Sequence, residues 1–371
     1  MRKVCIVTAA RSEYGLLKWV IDGVHQAKDL ELQLVVTGAH LSEEHGMTVR
    51  FIEEDGYPIA ARLDMHLATG SKADIIRSMG RCSIGLADTL TSLQPDIVVV
   101  LGDRYELLPI VSACLVAGIP VSHISGGDVT EGAIDNEVRN AVSMMSTLHF
   151  PGVESSADNL RRMLGCDKNI FTVGEPGLES FLRYDLMTRG ELADSLDIDS
   201  HNRWCLVTLH PETKISVEEN VAMAENLFQV MQSTDGVQYV ISEANADFGG
   251  AHINRFWEDA VRKDEKRFKL FSSLGQRQYL SFMRQAAGVL GNSSSGIVEA
   301  PFLGIPVVNI GDRQRGRHIC KNVIQCGRSY HEIEKAVSAM LGQQVIADAY
   351  YGNGHTAEII INKLKEWLKV H

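Results

Sequence analysis

No run of this 371-residue chain approaches the roughly 18 apolar residues that a membrane span requires. The longest candidate, Leu107 to Val121, is interrupted by Ser112, Gly118 and two prolines, Pro109 and Pro120. Positive charge is scarce: 36 Lys and Arg against 47 Asp and Glu leave a formal net charge of -11. That balance argues against nucleic acid and anionic membrane as partners, because both need clustered cations. An anionic substrate must then meet a locally basic cleft inside an acidic protein. The seven cysteines (Cys5, Cys82, Cys114, Cys166, Cys205, Cys320, Cys326) are odd in number, contain no Cys-x-x-Cys pair and sit mostly in apolar stretches. They read as reduced thiols of a cytoplasmic protein and exclude a disulfide scaffold. His45, His66, His252, His318 and His355 share no metal-ligand spacing, so no metal is expected. Repeats, low-complexity segments and a disordered tail are also lacking. The apolar opening Met1 to Thr8 is cut short by Arg11 and Glu13 and reads as a strand, not a signal peptide.

What is present is a 45% hydrophobic chain, too long for one small core and suited to two α/β domains. Short apolar runs recur at Val4 to Thr8, Leu32 to Val36, Asp96 to Leu101, Ile119 to Ile124, Leu148 to Phe150 and Ile170 to Val173, with amphipathic helix-length stretches between them. The rhythm restarts at Cys205 to Leu209, Val237 to Ser242, Phe268 to Phe271, Gly288 to Leu290, Val307 to Ile310 and near Val323. Two doubly wound halves with parallel sheets follow. The Gly174-Glu175-Pro176-Gly177 punctuation marks the hinge. Residues 1–175 are expected to form one domain and 176–355 the other, with a last helix at 356–371 packing back on the first.

The most telling stretch is Gly291 to Arg317. A buried strand ends near Leu290, small polar residues Asn292 to Gly296 leave backbone N–H groups uncovered, and Ile297 to Leu303 reads as a helix. A helix N-terminus with unpaired donors, including Ser293 and Ser294, favours phosphate. Glu299, early in that helix, is placed to accept hydrogen bonds from a ribose diol, and Arg313 after the next strand adds a cationic fork.

Other strand ends carry further candidates. Arg11 opens the first helix at a carboxyl edge, where a cation is unfavourable with the helix dipole and so suggests a ligand. Asp103 and Arg104 follow the strand ending at Leu101, where either a ligand site or a plain salt-bridged loop fits. The segment His123 to Asn140 pairs a double glycine, Gly126 and Gly127, with Asp128, Glu131 and Asp135. Such a carboxylate cluster can raise one member's pKa toward neutrality. Asp135 and Arg139, four apart, share a helical face and can pair. His210, held by Pro211 at a strand's end, suits a phosphate donor or an acid as well as a structural role. Asn245 and Asp247 are placed to line the nucleotide pocket, though both are ordinary turn formers. Gly352-x-Gly354-x-x-Ala357 matches a dinucleotide fingerprint, but no clear strand precedes it and no acid follows about twenty residues on, so NAD is not expected.

Jointly, Thr8 to Gly15, Gly102 to Arg104, Gly126 to Asp135, Leu209 to Thr213, Ala244 to Asp247 and Gly291 to Arg317 resemble the UDP-N-acetylglucosamine 2-epimerase family almost end to end. Within it, the chain is similar to the hydrolysing branch that makes N-acetylmannosamine for sialic acid, or its analogue for related nonulosonic acids. The resemblance implies a GT-B-like pair of Rossmann domains with the active site in the cleft between them, closure over the substrate, a homodimer or homotetramer, and no metal or NAD. It implies UDP against Arg11, His210, Asn245, Ser293, Ser294, Glu299 and Arg313, and catalysis by Asp103, Arg104, Asp135, Arg139 and His210. The family commonly has glutamate where Ser125 stands here, so the proton chemistry falls to Asp128 or Asp135. The implied substrate is UDP-N-acetylglucosamine, with a UDP-2,4-diacetamido-2,4,6-trideoxy sugar as the alternative. A non-hydrolysing epimerase, a GT-B glycosyltransferase and a non-catalytic UDP-sugar sensor are further alternatives on the same scaffold.

Overall fold

Alternation with a period of two in the first strand sets the layering of the first half. Val4 and Ile6 point to one face and Cys5 and Val7 to the other, all fully buried, so the strand lies in the middle of a sheet covered on both sides. In the computed structural model, residues 1–68, 71–129, 134–212, 214–244 and 249–371 are described.

The first half runs β1 (Arg2–Thr8), α1 (Arg11–Gln26), β2 (Leu30–Thr37), α2 (Val49–Glu54), β3 (Ile59–Leu63), α3 (Lys72–Leu93), β4 (Ile97–Leu101), α4 (Leu107–Ala117), β5 (Val121–Ile124), α5 (Asp135–Met144), β6 (Leu148–Phe150) and α6 (Glu154–Leu164). The second runs α7 (Ser180–Arg183), α8 (Arg189–Leu196), β7 (Arg203–Thr208), α9 (Val217–Ser233), β8 (Val237–Ser242), α10 (Gly250–Val261), β9 (Phe268–Phe271), α11 (Gln276–Gln285), β10 (Gly288–Gly291), α12 (Ser294–Leu303), β11 (Val307–Ile310), β12 (Val323–Cys326) and α13 (Tyr330–Leu341). A last helix, α14 (Thr356–Leu368), ends the chain. Two compact units result. One holds Met1–Val129, the segment running on to Glu179, and Gly352–His371; the other holds Ser180–Tyr351.

Each unit has one six-stranded sheet, ordered β3-β2-β1-β4-β5-β6 in the first and β12-β11-β10-β7-β8-β9 in the second. All pairings are parallel. The strand order reverses between β1 and β4 in one unit and between β7 and β10 in the other. At such a switch point, loops leave the carboxyl ends in opposite directions and open a crevice for a ligand.

The cores follow the layering. On one face of the first sheet Val4 and Ile6 pack with Leu17, Ile21 and Val24 of α1 and with Ile360, Leu364 and Leu368 of α14. On the other, Cys5 and Val7 meet Cys82 and Leu86 of α3 and Ile110 of α4. In the second unit Val207, Tyr239 and Leu290 pack with Leu227 of α9, Trp257 of α10 and Val337 of α13. Each such buried aliphatic side chain contributes about 1.5–3 kcal/mol. Among the described residues no helix is long and apolar enough to cross a membrane, and none of the cysteines is bridged.

Two expectations about the first sheet need correction. Ile170 to Val173 is not a strand but a single bridge, His149 to Ile170. Phe171 N–H donates to the His149 carbonyl at 2.9 Å and Val173 N–H to the Pro151 carbonyl at 3.0 Å, but Pro151 has no N–H to return, so the ladder stops. The sixth strand is instead β3, an edge strand whose alternating burial is diluted by Ala60, Ala61 and Arg62. The helix expected at Ile297 to Leu303 also begins three residues sooner, at Ser294, with Ser293 as its N-cap. Glu299 therefore lies in the second turn rather than near the start.

Candidate active site at the carboxyl ends of two sheets

In the first unit the switch point brings together the ends of β1 and β4. Arg11 is the first residue of α1, whose N-cap Ala10 offers no side-chain acceptor; its guanidinium lies 4.6 Å from the centre of the Phe51 ring. Glu13, in the same turn, is fully buried and accepts from Ala9 N–H at 2.7 Å through Oε2, while Oε1 has no partner among the described residues. Burial pushes its carboxyl up to about 8, against the nearby charge of Arg104. Arg104 in turn donates to the fully buried Glu106 at 2.5 Å.

Beside β4, the exit of β5 is built around His123. Its Nε2 lies 2.8 Å from the Gly102 carbonyl, which only accepts, so Nε2 carries the proton and Nδ1 takes the Ser143 hydroxyl at 2.9 Å. Burial lowers its pKa to about 3 and keeps the ring neutral. Ser125 follows in the left-handed region at φ 60, and Gly127 at φ 83 passes so close to α6 that a Cβ there would meet the Ser156 carbonyl at 2.2 Å. Asp128 is held by the Ser156 hydroxyl. Arg139 of α5, almost wholly buried, donates to the Asp128 carbonyl at 2.9 Å and pairs with Asp103. The predicted residues Asp103, Asp128 and Arg139 are thus one linked group. Asp135 heads α5 one turn before Arg139. Arg139 also reaches across 36 positions to Asp103, a contact that does not depend on the helix. Glu131 falls outside the described residues.

In the second unit the switch point joins the ends of β7 and β10. Gly291, at φ 130, lets the two strands run on together; a Cβ there would sit 2.0 Å from the Thr208 carbonyl oxygen. Asn292 is fully buried. Its Oδ1 accepts from His210 N–H at 2.7 Å and its Nδ2 donates to the His210 carbonyl at 2.9 Å. Its own carbonyl accepts from Arg313 Nη1 at 3.1 Å and Gln314 Nε2 at 2.9 Å. Ser293 then caps α12, Ser294 is exposed in the first turn, and the Ser293 hydroxyl accepts from Ser295, whose own hydroxyl lies 2.6 Å from that of the half-buried Tyr279. Glu299, one turn further, keeps Oε2 enclosed and without a partner among the described residues, and burial raises its pKa. A second clasp lies close by: Glu212 accepts from Asp312 N–H at 2.9 Å and from Arg328 at 2.5 Å. Asn245 and Asp247 lie outside the described residues, as does Thr213.

The sequence points to His210, Ser293 and Arg313, but not to Asn292, which holds His210 and Arg313, nor to Gln314 and Glu212 beside them, nor to Glu13 and Glu106 in the first unit. For Asn292 the signal is faint: a polar residue directly after a buried strand's terminal glycine, at a depth where its amide must find protein partners. Among the described residues no group of three or more His, Cys, Asp or Glu is placed to hold a metal.

The model of the family described as UDP-N-acetylglucosamine 2-epimerase matches residues 22–365. The chain belongs to this family. Among the relatives of this 2-epimerase family member is a Campylobacter jejuni protein, 36% identical with 87% of this chain and 84% of that one covered, named GDP/UDP-N,N'-diacetylbacillosamine 2-epimerase (hydrolyzing). A Legionella pneumophila protein named UDP-N,N'-diacetylbacillosamine 2-epimerase (hydrolyzing) is 32% identical, covering 98% of this chain and 96% of its own. The crystal structure of UDP-GlcNAc 2-epimerase from Neisseria meningitidis bound to UDP-GlcNAc superposes with a TM-score of 0.82 at 17% identity, covering 98% of this chain and 100% of that one. That likeness establishes the fold: two Rossmann-like units of the GT-B kind.

Proposed function

We propose that this chain is a hydrolysing 2-epimerase that converts a UDP-2-acetamido-gluco sugar into the free 2-acetamido-manno sugar and UDP. The observation that carries this reading is the near full-length similarity to two relatives named as hydrolysing 2-epimerases. Both are named for N,N'-diacetylbacillosamine, which favours the UDP-2,4-diacetamido-2,4,6-trideoxy sugar as substrate. UDP-N-acetylglucosamine, the substrate in the family's description, is the second reading.

The geometry supports the chemistry in each unit. In the second, the α12 N-terminus with Ser293 and Ser294, together with His210 and Arg313, supplies donors and positive potential for a diphosphate. Oε2 of Glu299, enclosed and without a partner among the described residues, is an acceptor that a ribose hydroxyl would satisfy. Arg11 and Asn245 complete the UDP set in this reading. In the first, Asp103, Arg104, Asp128, Asp135 and Arg139 supply the acid and base groups for the sugar. A carboxylate takes the proton from C2 while the C1–O bond breaks, its electron pair leaving with UDP, and the C1=C2 bond of a 2-acetamidoglucal forms. Water then adds its oxygen to C1 and a proton to C2 from the opposite face. A sugar C–H is so weakly acidic that cations on the departing diphosphate must share the barrier.

Incubation of the purified protein with each UDP-sugar separately, followed by NMR of the products, tests this. Free manno sugar and UDP in equal amounts are expected. Interconverting UDP-sugars without UDP release, or release only when an acceptor is added, would point to a non-hydrolysing epimerase or a glycosyltransferase instead. With Asp135 as the base, Asp135→Asn is expected to bind UDP normally and lose turnover by about 100-fold or more. A near-normal rate would move the base to Asp128.

A further inference from the structure

We infer that Asn292 is a positioning residue that sets His210 and Arg313 as one rigid unit around the α12 N-terminus, an inference that rests on the function proposed above. The β7 and β10 ladder is regular up to Gly291 opposite Thr208, and Asn292 N–H still reaches the Thr208 carbonyl at 3.1 Å. Beyond that point the strands diverge, and the Asn292 side chain takes over. One amide exchanges two hydrogen bonds with one residue, His210, at 2.7 and 2.9 Å, a reciprocal pair that the parallel ladder itself does not make. That exchange fixes the backbone from which the His210 ring projects. The Asn292 carbonyl is at the same time the anchor for Arg313 and Gln314. A single fully buried residue therefore spans 82 positions to His210 and 21 to Arg313.

Only a carboxamide of this length does both halves of the exchange. Aspartate has the shape but no donor, and would turn a lone pair toward the His210 carbonyl; alanine would leave both His210 backbone groups without their partner. The held guanidinium sits at the positive end of α12, where the helix dipole repels it. An anion there relieves that repulsion, so the pre-set His210 and Arg313 gain most when a diphosphate carries its fullest charge, as UDP departs.

The test is a double-mutant cycle on the substrate that the wild type hydrolyses. Asn292→Asp is expected to lower kcat by about 100-fold with a smaller change in KM, the loss that follows from misplacing a reacting group by about 1 Å. In a His210→Ala background, the same substitution is expected to cost less than about 3-fold, because its effect passes through His210. A full 100-fold loss in both backgrounds, or none in the wild type, would overturn the inference. If Asn292→Asp does not fold, Asn292→Ser, which keeps a single donor and acceptor, is read in the same cycle. Should the wild type hydrolyse neither UDP-sugar, the functional reading fails by itself. UDP affinity by calorimetry then decides the positioning role: at least 10-fold weaker UDP binding by Asn292→Asp upholds it, and unchanged binding overturns it.

Discussion

Glu13 is a carboxyl buried at the head of α1 with one oxygen committed to the backbone and the other without a partner among the described residues, and its pKa is raised to about 8 from an ordinary 4.5. His40 and His149 are lowered by burial to about 4, and His123 to about 3, from an ordinary 6.5. The two kinds of group act in opposite directions. As pH falls from 6.5 toward 4 the unfolded chain takes up protons on three histidines that the folded chain refuses, so stability falls with pH. Between 4.5 and 8 the folded chain keeps a proton on Glu13 that the unfolded chain releases, so stability falls as pH rises. The histidines dominate below about 6.5, and above it Glu13 acts together with Glu299, whose pKa burial also raises, which places maximal stability near pH 6.5. Chemical denaturation across pH 5 to 8.5 is expected to show that maximum, and Glu13→Gln is expected to flatten the alkaline side. An unchanged slope between pH 7 and 8.5 in that variant would show that Glu13 does not carry the proton.

The elements most exposed to single changes are the strand exits that bear the candidate site. Gly291 ends β10 at φ 130, and a Cβ there would collide with backbone, the Thr208 carbonyl, rather than with a side chain able to move. Gly291→Ala is expected to destabilise the second unit by about 3 kcal/mol or more, read from the denaturation midpoint, and to weaken UDP binding with it. Strands of this kind were legible in the sequence because central parallel strands are continuous apolar runs. β3 was not, since a half-exposed edge strand with two alanines and an arginine carries little of that signal. Ile170 to Val173 carried the signal without forming a strand, because Pro151 in the facing segment cannot donate. The start of α12 is hidden for a related reason: three consecutive serines read as a loop, whereas Ser293 acts as the cap and Ser294 and Ser295 already belong to the first turn.

Across the whole molecule, the same topology is used twice, and in each unit some of the sequence-selected residues lie at the point where strand order reverses, while Asp128, Asp135 and Arg139 follow β5 and Arg313 follows β11. Arg11 with Asp103 and Arg104 follows β1 and β4; His210 with Ser293 follows β7 and β10. The place of these candidate residues at strand ends could be read from motif and strand order alone, because strand carboxyl ends are fixed by the βαβ rhythm. What could not be read were the partners, such as Asn292 for His210 and Asp103 for Arg139. They are set by contacts 82 and 36 residues apart that no local pattern encodes. In the proposed reaction a carboxylate removes the C2 proton while cations receive the departing diphosphate. Turnover of the UDP-sugar in deuterated water, followed by NMR of the free sugar, is the decisive measurement. One deuterium at C2 of a manno-configured product is predicted; a product that retains its original C2 hydrogen would contradict the account.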